Sequence, residues 1–322
     1  MNINMEPLVS VIIPSYNYGN LISETIKNVL AQSYTNIEII VIDDGSLDNT
    51  ASVVSELIES DNRINYFYQE NKGLSAARNL GIKCAKGDFC LFLDADDLIS
   101  PDKIKLHVEH FDQQPHIDIS YSRFWYFKNN IEERFSTLNL ETSEWMKVLD
   151  GDYKNVFPAF LTSNNMVVHS AVVRKSLIDK TGFFNTDMKS LEDWDYWLRC
   201  LYNGAYISFL NNEQAYVLTR VHSISMSTNR SKMHYYEYLL RSNIEDKVYL
   251  EYLNEKFYPK YMEVTKPLVK KIYKYRILRN GFFNINDLKI IANRIGVPKL
   301  IQVYFSAFNE WIKHPKALMT RS

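Results

Sequence analysis

Short apolar runs alternate with helically spaced apolar positions over the first hundred residues. Leu8 to Ile13 is a buried-strand pattern stopped by Pro14, and Leu21, Ile22, Ile26, Val29 and Leu30 then recur at the spacing of one helix face. Ile37 to Ile42 repeats the apolar run, followed by Val53, Val54, Leu57 and Ile58 at helical spacing. Arg63 to Tyr68 predicts a third strand, Gly73 to Ala85 a helix, and Phe89 to Leu93 a fourth strand. Strands alternating with helices of this length predict a parallel, doubly wound sheet whose polar loops meet at one edge.

Those loops carry the candidate chemistry. The fourth run ends in Asp94-Ala95-Asp96-Asp97, three carboxylates in four residues. Desolvating three unpartnered carboxylates is expensive, which places them at the carboxyl edge of the sheet, where open α/β sheets bind ligands. Clustered carboxylates suit a hard divalent cation, and such a cation suits a diphosphate. Pro14-Ser15-Tyr16-Asn17 follows the first strand, Asp43-Asp44-Gly45-Ser46 the second, and Asn71-Lys72-Gly73 with Ala77-Arg78-Asn79 precedes the fourth. An aromatic for a base, an acid for a base N–H, an arginine and metal-binding acids together describe a nucleotide-diphosphate site. Neither a Walker loop nor G-x-G-x-x-G occurs, which excludes a P-loop and a dinucleotide fold.

The stretches "PSYNYGNLISETIKNVLAQSY", "IIVIDDGSLDNT", "NKGLSAARNLGI" and "GDFCLFLDADD", over roughly residues 8–100, resemble in order and spacing the family 2 glycosyltransferases. The resemblance implies a GT-A fold, a Rossmann-like, mostly parallel α/β sheet, and inverting, Mn²⁺- or Mg²⁺-dependent transfer of sugar from a nucleotide-sugar, usually UDP-linked. It implies that Pro14 and Tyr16 hold the base, that Asp44 pairs with it, and that Asn71 and Arg78 line the pocket. Asp94 and Ala95 lie near the nucleotide, Asp96 ligates the metal, and the role of Asp97 stays open.

Ser100-Pro101 reads as a helix N-cap followed by proline at the first helical position, with Ile104, Val108 and Phe111 facing inward. Ile117 to Phe127 alternates as one strand, and residues 130–158 carry few signals. Met166 to Val173 is apolar, and Thr181-Gly182-Phe183-Phe184 resembles the family's turn before its catalytic helix. In Glu192-Asp193-Trp194-Asp195-Tyr196-Trp197-Leu198-Arg199, the residues Leu191, Trp194, Trp197, Leu198 and Leu201 form the apolar stripe, and the acids gather at the helix start. Acids there have an ordinary explanation in the helix dipole. The resemblance makes Asp193 the general base, with Glu192 positioning it or the acceptor and Asp195 structural. After a strand at Tyr216–Thr219, Arg220-Val221-His222-Ser223-Ile224-Ser225 resembles a family loop over the diphosphate. By that match His222 ligates the metal or contacts phosphate, and Arg220 and Ser225 belong to the diphosphate loop. His107, His110, His116, His169, His234 and His314 form no constellation in the sequence.

Charge divides the chain. From Lys260 to Ser322 there are 13 Lys/Arg and three acids, a net +10; the other 24 Lys/Arg face 35 acids, a net −11. Helical patterns cover Tyr235–Tyr258, Pro267–Leu278, Ile285–Arg294 and Lys299–Ile312. Basic residues interleaved with aromatics on the second of these leave two readings open, a membrane-surface helix or a solvated face against the acidic domain. The expected organisation is a GT-A domain over residues 1–230 (nucleotide-sugar half about 1–100, acceptor half about 101–230) and a basic helical C-terminal extension over 231–322.

The remaining composition narrows the setting. Met1 to Pro7 lacks the basic and apolar regions of a signal peptide, and no apolar run reaches a membrane span. Cys84, Cys90 and Cys200 lack metal-ligand spacing and read as small buried residues of a reducing cytoplasm. No recognition motif points to nucleic acid. The expected partners are a nucleotide-sugar donor, a glycan or lipid-linked glycan acceptor, and the inner face of a membrane, in surface-polysaccharide assembly. Two rivals remain at this point. One is a non-catalytic glycosyltransferase-like scaffold. The other is a nucleotidyltransferase, which would want a glycine-rich phosphate loop where Pro14-Ser15-Tyr16-Asn17 stands.

Overall fold

The computed structural model describes residues 6–128, 130–136, 148–221, 233, 235–241, 243–244, 266 and 268–313. The chain forms two compact units, Met1–Thr228 and Asn229–Ser322.

The apolar runs become β1 (Val9–Ser15), β2 (Ile37–Asp43), β3 (Ile64–Tyr68) and β4 (Phe89–Phe92), joined by α1 (Ile22–Leu30), α2 (Thr50–Ser60) and α3 (Leu74–Cys84). β1 pairs in parallel with both β2 and β4, and β2 with β3. Strands β1, β2 and β4 are buried throughout, which is why their sequences are continuous apolar runs rather than alternating ones. The first half is therefore the α/β arrangement expected. Gly81 of α3 lies directly on β1, since a Cβ there would overlap Ile12 Cγ2.

Beyond β4 the chain departs from simple alternation. The short β5 (Leu98–Ile99) leads to α4 (Lys103–Gln113). Ser100 and Pro101 precede that helix rather than start it: Asp102 is the N-cap, and Ser100 Oγ accepts from the Tyr216 amide. The stretch expected as one strand splits at Ser122 into β6 (Ile119–Tyr121) and β7 (Arg123–Phe127), which join different sheets. The signal-poor region contains α5 (Tyr153–Thr162), capped by Asp152, whose carboxylate accepts from the Asn155 amide. Then come β8 (Ala171–Arg174), α6 (Lys175–Thr181), α7 (Glu192–Tyr202), β9 (Ile207–Phe209) and β10 (Tyr216–Arg220).

The main sheet has the order β3-β2-β1-β4-β8-β6-β9, with β8 antiparallel to both β4 and β6. A three-stranded sheet β5-β10-β7 stands beside it. The order reverses between β1 and β4, the position at which an open α/β sheet leaves a crevice beyond its strand ends.

The second unit contains helices Val269–Asn280, Ile285–Ile295 and Val297–Lys313. Tyr273, Ile277, Ile291, Val303 and Ala307 form its core. Arg276 and Asp287 form a buried ion pair at 2.7 Å. No helix among the described residues is long and apolar enough to cross a membrane.

Candidate active site

The crevice beyond β1 and β4 collects the acidic turn. Leu93 continues β4 by donating its amide to Ile12 O (2.9 Å), and the Asp97 amide closes the turn on Asp94 O (3.1 Å). Thr25 Oγ1, buried on α1, hydrogen-bonds Ala95 O and Asp97 O, both at 3.0 Å. From β10, the Arg220 amide donates to Asp97 Oδ1 (2.8 Å) and its Nε to Asp96 O (3.0 Å). The Arg220 guanidinium also pairs with Glu24 at 2.7 Å and lies over the Phe127 ring. Arg220 thus fastens the acidic turn to α1, with an acidic partner.

Arg78 connects this turn to α7. Its side chain is 1% exposed, with Nη2 donating to Asp94 Oδ1 (2.8 Å) and Nη1 to Glu192 Oε1 (2.7 Å). The sequence places Arg78 on the nucleotide pocket wall; the structure commits its guanidinium to two carboxylates in different halves of the domain. Burial opposes the charge, but Asp94 and Glu192 overcome it and raise the Arg78 pKa. Burial alone would raise Asp94; the charge of Arg78, joined by His169 where that imidazole is protonated, holds it below the usual carboxylate range.

Asp193 follows Glu192 in the first turn of α7. Leu191, the residue before this helix, has φ 58° and ψ 25° and provides no side-chain cap. A left-handed leucine is uncommon and costs on the order of 1–2 kcal/mol. It turns the chain sharply into the Glu192-Asp193 pair. Asp193 Oδ2 accepts from Asn164 Nδ2 (2.9 Å), just beyond α5. Burial, then the Glu192 charge, push the Asp193 carboxyl up to about 7, against the Asn164 hydrogen bond. A carboxylate so placed is suited to general-base work near neutral pH. Asp195 pairs with Arg199 one turn on (2.8 Å) and is structural, as read from the sequence.

His169 and Tyr126 are the residues sequence reasoning missed. The antiparallel pairing of β4 with β8 ends with Leu91 opposite Val172, and the 3-10 turn Val168–Ser170 that leads into β8 holds His169 beside the acidic turn that follows β4. His169 Nδ1 lies 3.3 Å from Asp97 Oδ2 and 3.9 Å from Asp94 Oδ2, and Nε2 lies 2.7 Å from Thr219 Oγ1. Burial, partly offset by Asp94, takes the imidazole down to about 4, so it is neutral at physiological pH. Asp97 is raised well above the usual range by burial and by Asp96 and Asp94. Tyr126 on β7 is raised by burial and by the charges of Asp97 and Asp193.

These residues fit a divalent cation. Asp94, Asp97 and His169 present ligand atoms within 4.8 Å of one another. His169 Nδ1 is buried facing the Asp97 and Asp94 carboxylates without a well-formed hydrogen bond, and Asp97 resists ionisation, which a cation would relieve. Two carboxylates with an imidazole suit Mn²⁺ better than Mg²⁺, which favours oxygen alone. The sequence reading put Asp96 and His222 there. Asp96 is buried in the same turn but outside this trio, and His222 and Ser225 lie outside the described residues.

The loops expected to hold the base converge on the same edge. Pro14 and Ser15 end β1, and Tyr16 beyond them is 44% exposed, open to stack on a ligand. Asp44 accepts from Gln69 Nε2 (2.6 Å) and from the Lys72 and Gly73 amides (2.8 Å each), ordering the loop that carries exposed Asn71. Gly45 has φ 80°, and a Cβ there would sit 2.8 Å from the Asn71 amide nitrogen, so this close approach requires glycine. The Gly-Phe turn is held by Asn79, whose side chain donates to Phe184 O (2.9 Å) and accepts its amide (2.7 Å).

The other unassigned histidines among the described residues have structural partners. His107 and His110 share Ser120 Oγ (2.6 and 2.7 Å), and His107 Nε2 meets buried Lys103 Nζ at 2.9 Å. His116 packs edge-on against Tyr206. His234 and His314 lie outside the described residues.

Comparison with known proteins gives the family and the fold. The sequence pattern of glycosyl transferase family 2 matches residues 10–182. A glycosyltransferase of Haemophilus influenzae is 31% identical over 227 residues, covering 70% of this chain and 84% of its own. The Escherichia coli UDP-Glc:alpha-D-GlcNAc-diphosphoundecaprenol beta-1,3-glucosyltransferase WfaP is 30% identical over 282 residues, covering 85% of this chain and 99% of its own. Among solved structures, S. aureus TarS with UDP-GlcNAc superposes with a TM-score of 0.59 at 18% identity, covering 94% of this chain and 92% of that one. The Pyrobaculum calidifontis mannosyltransferase PcManGT, with GDP-Man and Mn²⁺, gives 0.58 at 16% identity, covering 98% and 86%. From its sequence and its sheet, the chain belongs to glycosyl transferase family 2, and its first unit is a GT-A glycosyltransferase domain.

Proposed function

We propose that the chain transfers a sugar, with inversion, from a UDP-sugar to a hydroxyl of a lipid-linked glycan, in surface-polysaccharide assembly at the cytoplasmic membrane face. The observation that carries this reading is Asp193. Its carboxyl is raised to about 7, and the Glu192–Arg78–Asp94 chain ties it to the acidic turn of the donor site. The kinship with WfaP, whose name gives a UDP-Glc donor and a diphosphoundecaprenol-linked acceptor, supports the donor and acceptor classes.

In this mechanism Pro14 backbone and Tyr16 hold the base, with Asp44 and Asn71 shaping its loop. The acceptor hydroxyl approaches the anomeric carbon from the face opposite the diphosphate. Asp193 takes the hydroxyl proton as that oxygen bonds to the anomeric carbon. The bond from the anomeric carbon to the phosphate oxygen breaks, its electron pair leaves with the nucleoside diphosphate, and the configuration inverts. Asn164 and Glu192 hold Asp193 in place, and neutral Tyr126 feels the charges of both Asp97 and Asp193. Asp94, Asp97 and His169, with Asp96 beside them, would hold a divalent cation, Mn²⁺ before Mg²⁺, which when bound would supply positive charge to offset that of the diphosphate. Arg220 keeps the acidic turn in register with α1.

The test is calorimetric titration of UDP, GDP, dTDP and CMP with and without Mn²⁺, alongside turnover of wild type, Asp193→Asn and Asp96→Ala. Mn²⁺-dependent binding of UDP is expected, weakened by Asp96→Ala. Asp193→Asn should lower turnover by roughly 10²–10⁴-fold with nucleotide affinity within about twofold of wild type. Loss of nucleotide binding together with turnover in Asp193→Asn would remove it as the base. Tight nucleotide binding with no transfer to any acceptor would favour a scaffold.

A further inference from the structure

The helix Val297–Lys313 carries more apolar surface than its own unit covers. One face, Leu300, Val303, Tyr304, Ala307 and Trp311, turns toward the core or its aromatic neighbours. A second face is open to solvent: Val297 58%, Ile301 51%, Phe305 61%, Phe308 40% and Ile312 56% exposed. At about 100° per residue, those five side chains fall within an arc of about 80°. Spacings of four, four, three and four residues keep the stripe straight along the helix. Phe282 packs against Tyr304, Phe308 and Trp311, fixing the preceding turn to this helix, and the next residue, Phe283, is 90% exposed.

Exposed apolar side chains in isolation need no explanation, but a continuous stripe does. The basic helix singled out by sequence cannot supply such a face, because Ile272, Tyr273 and Ile277 are buried, the last two in the unit's core. Charge identifies what the stripe meets. The segment from Lys260 onward has 13 Lys/Arg against three acids, a net +10. Of those acids, Asp287 is buried on Arg276, and Glu310 pairs with Lys274 at 3.4 Å. Lys289 and Lys299 remain exposed on the helices. Stripe against stripe, a second copy of the chain would bring two +10 segments face to face, whereas an anionic lipid surface complements both the charge and the stripe.

We propose that Val297, Ile301, Phe305, Phe308 and Ile312, with Phe283, form the bilayer-docking face of this chain, seated among anionic lipid headgroups. This deepens the membrane part of the proposed function and does not depend on the transfer chemistry. The helix lies in the interface plane, its apolar side toward the acyl region, and the net positive charge of the segment draws it to the anionic surface.

The experiment is co-sedimentation of the full chain with phosphatidylcholine vesicles, with and without phosphatidylglycerol. Wild type and Ile301→Ser/Phe305→Ser are compared, with circular dichroism melts and light scattering on both. Binding should require phosphatidylglycerol, weaken with salt, and fall by about tenfold or more in the double variant, with an unchanged melt. Unchanged binding in the double variant overturns the proposal. So does a wild-type dimer that ignores vesicles and that the double variant makes monomeric. Vesicle binding that appears only after deletion of residues 314–322 also overturns it, by assigning the face to the chain's own end. Transfer to a water-soluble acceptor analogue, unchanged in the double variant, separates a failed docking face from a failed enzymatic reading.

Discussion

Replacing Arg78 with methionine tests the link between the two halves of the catalytic domain. Methionine fills much of the same volume but removes a buried cation held at 2.7 Å from Glu192 and 2.8 Å from Asp94. The two partners are not equal. The Glu192 side chain is 10% exposed and the Asp94 side chain 33%, so water compensates Asp94 far better. Removing one partner of a buried pair costs about 3–5 kcal/mol, and that figure belongs to the Glu192 side, with little added by Asp94. For a domain of this size it corresponds to a melting temperature lower by about 6–20 °C.

The pH dependence has a definite sign. In the native chain Asp94 is held below its ordinary value, so its contribution is full above the ordinary carboxylate range and fades as pH falls through the lowered value. In Arg78→Met that contribution is gone, and burial then favours the protonated form of Asp94 in the folded chain. The variant therefore loses most stability at about pH 8 and regains part of the loss at about pH 4. Urea denaturation at the two pH values measures both terms. Arg78→Lys keeps a charge but not the fork that reaches both acids, and should lie between. A loss below about 1 kcal/mol, or one independent of pH, would refute the reasoning that this ion pair joins the halves.

Three further outcomes follow from the same geometry. Turnover should rise with pH through an apparent value of about 7, and Glu192→Gln should move that limb to lower pH, since it removes a negative charge beside Asp193; a pH–rate profile reads both. His169→Ala should weaken Mn²⁺ binding by roughly 10–100-fold in a spin-resonance titration of the nucleotide-free protein, and an unchanged titration would take His169 out of the metal group. Gly81→Ala should cost about 1–3 kcal/mol in a thermal melt, because the added methyl meets Ile12 in β1 with no room to move.

The sequence by itself determined the donor half. Strands β1, β2 and β4 are buried on both faces, so they must be apolar runs, and helices between parallel strands must show the helical period; both signals are local. The edge at which Tyr16, Asp44, Asn71 and Asp94 to Asp97 gather follows from that alternation alone. The acceptor half was less legible because its partners are distant in sequence. Ile117 to Phe127 reads as one strand, yet only pairing with β8 and β9 on one side of Ser122 and with β10 on the other makes it two. His169 is an unremarkable residue in an apolar stretch until the turn before antiparallel β8 brings it to Asp94, across 75 residues of chain. The resemblance put Arg78 at the nucleotide pocket, and its link to Glu192, 114 positions on, could be seen only in the tertiary structure. The basic C-terminal segment announced its charge in composition, but which of its apolar residues are core and which are exposed was decided by packing. Periodicity records that a helix has an apolar face; only the tertiary structure says whether protein covers it.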